Sequence, residues 1–270
     1  MKYCFNYNHK NFHLNEGSEW IFKYSEDNPN LILKMKQVQE EHPNIRIILD
    51  ISEICGEPNW NILFAAMREH PNSAVLITKD QLEFVPHFRV EKVDWFFANG
   101  CFTWDMLKEC VDYGVSDVYI IDELGFDIKN VKAFCDKFGT KVRVYPNIAQ
   151  TSAILLSLGD YTSFYIRPED VKYYEDYVDV LEFFGRPENE ATLYEIYTDG
   201  EWQGALEIII SNIPTLRKDW IKNSFIAEVF GPSRLECRKR CVYGDCAICK
   251  NCISSARAIK ERRENELNRE

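Results

Sequence analysis

No stretch of this 270-residue chain approaches the roughly 20 consecutive apolar residues of a membrane-spanning helix. The opening segment, MKYCFNYNHK, holds no apolar run of signal-peptide length. Both absences set the expectation of a cytoplasmic protein with no membrane partner, in a compartment that keeps thiols reduced. Glycine is sparse, at 12 residues, and none forms a phosphate-binding Gly-rich loop, so a nucleotide-binding sheet gains no support. Neither a Gly-x-Ser-x-Gly elbow nor a His-Glu-x-x-His is present, which leaves a serine or zinc hydrolase without sequence support. Only five histidines occur. His9 and His13 stand in HKNFH, but no carboxylate or third histidine lies at a useful spacing, so no histidine metal site is expected. Positive charge is also short: 32 Lys+Arg face 43 Asp+Glu, and a net charge of −11 argues against a general nucleic-acid-coating protein.

What the chain does have is cysteine, concentrated in one place. Cys237, Cys241, Cys246, Cys249 and Cys252 stand in CRKRCVYGDCAICKNC and make up five of the ten cysteines. The last three repeat as Cys-x-x-Cys-x-x-Cys after a Gly244-Asp245 turn. Several thiolates converging from a short loop suit a metal or an iron–sulfur cluster. A disulfide knot would need an oxidising compartment. Zinc suits two Cys-x-x-Cys pairs separated by a longer gap. One compact run resembles part of a ferredoxin run, so a 4Fe–4S cluster is expected, with zinc as the alternative. Cys241, Cys246, Cys249 and Cys252 are the favoured ligands and Cys237 the spare. The tail is locally basic: residues 211–270 carry 13 Lys+Arg against 8 Asp+Glu, among them Arg234, Arg238, Lys239, Arg240, Lys250 and Arg257. These cations can stabilise thiolates, meet RNA phosphate or an acidic partner, or simply form a solvated face.

Upstream of the tail, strand and helix signals alternate. Strands are expected at 2–7, 45–51 (IRIILDI), 74–78, 93–98, 118–122, 141–145, 163–166 and 180–184. Helices are expected at 30–41, 60–69, 103–113 with Thr103 as N-cap, 128–138 ended by Gly139, 149–158, 168–177 and 189–198, with 202–210 completing the last layer. The connection through 82–88 reads as weak and short. Apolar strands alternating with amphipathic helices indicate a parallel sheet buried on both faces, and eight such units close into a barrel. The expected fold is therefore α/β, a (β/α)8 barrel of the TIM type over 1–210, followed by a cysteine-rich tail over 211–270 with a charged terminal helix. An open doubly wound sheet is the alternative.

In such a barrel the chemistry gathers at the C-terminal strand ends. Those ends hold Asn8 and His9; Asp50, Ser52 and Glu53; Lys79 and Asp80; Asn99 and Cys101; Asp122 and Glu123; Asn147 and Gln150; Arg167 and Glu169; and Arg186. Arg167 and Arg186 are candidates to hold a carboxylate or phosphate bidentately. Asp122 or Glu123 is a candidate general acid or base. Each of them alone is as well read as a loop residue capping a helix or pairing locally. Cys55 and Cys101 fall near strand ends, where either can line the mouth, although a buried inert thiol is the commoner case. Cys4, Cys110 and Cys135 read as core filling.

The segment SFYIRPEDVKYYEDYVDVLEFFGRPENEATLYEIYTDG, from Ser163 to Gly200, resembles the distal barrel of the collagenase-like peptidase family, U-thirty-two, through its strand ending in Gly185-Arg186 and its Tyr-containing helix. VYIIDELGFDIKNVKAF and VRVYPNIAQTS fit the same habit at Asp122 and Asn147. The resemblance covers most of residues 90–210. It implies an eight-stranded barrel with a cysteine-ligated iron–sulfur cluster, and oxygen-independent hydroxylation of RNA bases or of a quinone precursor more than proteolysis. The chain departs from the pattern in packing its thiols into the tail instead of spreading them along the barrel. The expected function is oxidative modification of RNA or a small anionic metabolite by an enzyme. An accessory subunit docking a redox protein partner, or a peptidase, is the alternative.

Overall fold

The structure is a computed structural model that describes residues 1–6, 18–25, 30–121, 123–146, 166–183 and 187–202, together with Arg257, Ala258, Glu261 and Asn265. Eight parallel strands close into a barrel in the order of the chain. They are β1 (Lys2–Asn6), β2 (Glu19–Lys23), β3 (Arg46–Asp50), β4 (Ser73–Ile77), β5 (Asp94–Phe97), β6 (Asp117–Tyr119), β7 (Lys141–Val144) and β8 (Val180–Glu182). Closure is direct, with Lys2, Tyr3 and Cys4 of β1 opposite Val180, Leu181 and Glu182 of β8. The helices are α1 (Leu31–Glu41), α2 (Trp60–Glu69), α3 (Val85–Glu91), α4 (Trp104–Asp112), α5 (Glu123–Phe126), α6 (Ile128–Cys135) and α7 (Pro187–Asp199). The (β/α)8 expectation holds.

Local chemistry explains why these segments take these forms. β4, SAVLI, is buried at every position, as a strand covered on both faces requires. In α2, Leu63, Ala66 and Met67 recur at helical spacing and are buried, and the Asn59 side chain accepts from the Ile62 amide at 3.3 Å to cap the first turn. Thr103 caps α4 through Met106 N at 3.3 Å, while Leu107, Cys110 and Val111 form its buried stripe. Each fully buried Leu or Val of this kind contributes on the order of 1.5–3 kcal/mol. Gly139 ends the 128–138 helical stretch with a φ of 71°, the left-handed stop that glycine adopts without strain.

The membership of the barrel differs from the sequence expectation at one strand. β2 is not among the expected strands, because EWIFK is short and its apolar run is only Trp20 to Phe22 between two charges. Ser163–Ile166 was counted in its place. Of that segment only Ile166 lies within the described residues; it is outside any strand, and its amide donates to the Pro146 carbonyl at 2.9 Å. The 82–88 connection carries more structure than expected, a 3-10 segment Lys79–Phe84 running into α3. The 168–177 helix is a 3-10 segment, Pro168–Tyr173, followed by turns. The 149–158 helix and all but Trp202 of 202–210 lie outside the described residues. Arg257, Ala258, Glu261 and Asn265 of the terminal segment are helical, and exposed.

The chain divides into two compact units. The first comprises Met1–Tyr119, Lys132–Arg143 and Val178–Glu182. In it, Asp179 joins β8 to β7: its carboxylate accepts from Val142 N at 2.7 Å and from Lys132 Nζ at 3.0 Å. The second holds Ile120–Val131, Val144–Tyr177 and the chain from Phe183 onward. Within it, Tyr197 of α7 donates to the Ile166 carbonyl at 2.7 Å and meets the Phe183 ring edge-on at 5.0 Å. No helix among the described residues is long and apolar enough to cross a membrane.

Candidate functional site

The barrel interior carries a charge cluster on strands that read in sequence as apolar runs. Arg46, the first residue of β3, donates from Nη1 to both carboxylate oxygens of Asp117, at 2.8 and 2.9 Å. Its Nη2 reaches Asp94 at 3.1 Å and Ser116 Oγ at 3.2 Å. Arg143 of β7 is fully buried and donates to Glu19 at 2.6 Å, Asp117 at 3.1 Å and Glu182 at 3.1 Å. Its guanidinium also lies 4.9 Å from the Phe96 ring centroid and 5.4 Å from that of Tyr119. The Tyr119 hydroxyl donates to Glu182 at 2.5 Å.

Period-two alternation explains the convergence. Cys4, Glu19, Arg46 and Glu182 occupy one register row around β8, β1, β2 and β3. Burial alone would raise the Asp117 carboxyl, but Arg46 and Arg143 overcome it and hold it well below the usual carboxylate range. Burial pushes the Cys4 thiol far up, with Glu182 adding to the rise, so Cys4 stays protonated there. Arg46, Asp94, Asp117 and Glu19 all stand at the first position of their strands. Arg143, third in β7, and Glu182, last in β8, extend the cluster beyond those first positions, and its mutual pairing reads as a polar core that sets strand register.

The C-terminal strand ends present a second set of groups. Asp50, half-buried at the end of β3, accepts from Ser52 through its amide at 3.0 Å and its hydroxyl at 2.6 Å. Lys23 at the end of β2 pairs with Glu53 at 2.8 Å in solvent. Lys79 pairs with Glu109 at 2.7 Å. Gln81, unnoticed in the sequence, is buried and donates to the carbonyls of Ile51 and Ile54, while its oxygen accepts from Thr78 N. It ties the β3 and β4 exits together. Asp80 and Asn99 are exposed.

The residues expected to carry chemistry are not gathered among the described side chains. Arg167 is buried, and Asp170 takes its fork at 2.7 Å on both arms. This i,i+3 pair is the local pairing that the sequence offered beside the anion-binding reading of Arg167. Glu169 accepts from Trp202 N at 2.9 Å. Glu123 opens α5, and its side chain lies outside the described residues, as do Asp122 and Arg186. Asn8, His9, His13, Asn147 and Gln150 lie outside them too. So do Cys237, Cys241, Cys246, Cys249 and Cys252.

Among the described residues, no group of three or more His, Cys, Asp or Glu is placed to hold a metal ion. Cys4, Cys110 and Cys135 are buried, in line with core filling. Cys101 is buried as well, the commoner of its two readings, and its sulfur lies against that of Cys110; Cys55 is exposed.

No family model and no curated protein matches this chain. Among solved structures, a glycerophosphodiester phosphodiesterase from Parabacteroides distasonis is similar at a TM-score of 0.40 and 13% identity, over 63% of this chain and 65% of that one. The match thus spans less than two thirds of that enzyme. The assignment of a closed eight-stranded barrel rests on the strand pairing itself.

Proposed function

We propose that this chain is an iron–sulfur barrel enzyme that oxidatively modifies RNA or a small anionic metabolite without oxygen, in the manner of the collagenase-like peptidase family it resembles. The observation that carries the reading is the run of five cysteines between Cys237 and Cys252 in the same chain as a closed (β/α)8 barrel. The donor set fits a cluster: the ligands are thiols, and Arg238, Lys239, Arg240 and Lys250 beside them favour the thiolate form that binds metal. Cys241, Cys246, Cys249 and Cys252 would be the ligands, with Cys237 in reserve. Such a cluster supplies electron transfer. Asp122 or Glu123 would move protons, and Arg186 would hold the anionic group of the substrate. Arg167, held to Asp170 through Nε and Nη2, is the second candidate for that group. The basic residues around the cysteines equally favour a second reading, an accessory subunit that docks a redox partner through its tail.

Anaerobic purification followed by absorbance spectroscopy and metal analysis tests the proposal. A broad band near roughly 400 nm with about four irons and four sulfides per chain is expected. Changing any of Cys241, Cys246, Cys249 or Cys252 to Ser should then lower the iron content, while Cys237→Ser should not. About one zinc per chain and no colour would overturn the cluster. Mass spectrometry of RNA from a deletion strain separates the two readings. Loss of a hydroxylated base supports the enzyme acting on RNA; unchanged bases with an intact cluster turn the reading to a metabolite substrate or to the accessory subunit.

A further inference from the structure

Two of the cysteines outside the tail lie against each other. Cys101 follows β5 and is anchored by its amide, which donates to the Tyr119 carbonyl at 2.7 Å. Cys110 lies in α4 on the buried stripe of that helix. Their sulfurs are 3.6 Å apart, and both side chains are buried. A disulfide has sulfurs about 2.05 Å apart, so a shift of about 1.5 Å would join them. Backbone and helix already point the two side chains at one another.

We propose that Cys101 and Cys110 are a peroxide-sensitive thiol pair that closes to a disulfide, with Cys110 the attacking sulfur. The Cys110 thiolate attacks one oxygen of hydrogen peroxide. The O–O bond breaks, Cys110 becomes a sulfenic acid, and hydroxide leaves and takes up a proton as water. Cys101 then loses its proton and attacks the Cys110 sulfur. The S–S bond forms, the S–O bond breaks, and the hydroxyl leaves as a second water. Two thiols are oxidised by two electrons and one peroxide is reduced to two waters.

The roles follow from the surroundings. The Cys101 thiol hydrogen-bonds to Cys110 and lowers its pKa against the opposing effect of burial, and the Lys79 ammonium lowers it further. The same contact and burial push Cys101 up, so it keeps its proton until the second step. Cys135 is pushed up to about 12 by burial, so it does not compete as nucleophile. The side chain of Lys79, whose charge acts on Cys110, is itself 35% exposed. Closure would tie the segment leaving β5 to α4, making the C-terminal side of the barrel sensitive to oxidant.

Full-length protein treated with hydrogen peroxide, then blocked and digested without reductant, gives the test. A linked peptide pair containing Cys101 and Cys110, about 2 Da lighter than the sum of its reduced parts, is expected. Cys101→Ser should let a sulfenic acid at Cys110 accumulate and be trapped by a dione reagent. Cys110→Ser should leave Cys101 unmodified. If the linked peptide is absent from the wild-type digest while exposed Cys55 is oxidised, the proposal fails. It fails equally if Cys101→Ser and Cys110→Ser trap the sulfenic acid to the same extent. The wild-type mapping decides the matter even if a variant does not fold.

Discussion

Arg143 shows how one residue can carry the interior of this barrel. Its guanidinium is wholly enclosed and meets Glu19, Asp117 and Glu182, residues 124, 26 and 39 positions away in the chain. A buried ion network gives little net stability over a well-packed apolar core, but removing one partner strands the others. Arg143→Met should therefore destabilise the protein by about 3–5 kcal/mol. Urea unfolding followed by circular dichroism would measure it; a cost below about 1 kcal/mol would mean the carboxylates find other partners. The signal in the sequence was a single charge inside an apolar run, Arg143 in KVRVY or Glu182 in VLEFF. It was not legible as a network, because the residue types say nothing about which distant charges meet. Arg167 is the opposite case: its partner Asp170 is three residues away, and the local pair that competes with the anion-binding role was readable from the start.

At the scale of elements, legibility followed local chemistry. α4 was read with Thr103 as its cap and forms so, with the Thr103 hydroxyl on Met106 N. Thr103→Ala should cost about 1 kcal/mol, since it leaves an amide of the first turn without its partner. Thermal unfolding would show it as a lower midpoint, and an unchanged midpoint would mean that water replaces the hydroxyl. The stop at Gly139 was equally local. β2 escapes because its apolar run, Trp20 to Phe22, is only three residues long between Glu19 and Lys23. Its place is set by pairing: Cys4, Phe5 and Asn6 on one side, Arg46 to Asp50 on the other. The 3-10 segment at Lys79–Phe84 escaped for a similar reason. It is held by Gln81 bonding to Ile51 and Ile54, carbonyls that leave a different strand.

For the molecule as a whole, the interior ions predict a dependence on acid. Asp117 has a depressed pKa in the folded chain, so it binds a proton more readily when unfolded, where its value is near 3.8. The stability it contributes is fully present above that unfolded value and is lost as pH falls through the folded one. Urea midpoints should hold steady from neutral pH to about 5 with respect to this residue and decline below about 4. Asp117→Asn should flatten that decline at the cost of lower stability at pH 7. An equal acid decline in the variant would place the cause elsewhere. Because the pairs are buried, added salt should change the pH 7 midpoint little.

By itself the sequence determined the class of this protein. The alternation of apolar strands with amphipathic helices dictates a parallel sheet covered on both faces, and the spacing of Cys241, Cys246, Cys249 and Cys252 carries the expectation of a metal or cluster, because both signals are periodic and local. Only the tertiary structure decided which eight strands close the barrel, that Glu19, Arg46, Asp117, Arg143 and Glu182 pair inside it, and that Cys101 faces Cys110. Each of those depends on strand register and on contacts between distant residues. A one-residue slip would turn every interior side chain to the opposite face, and only closure of the sheet selects the register.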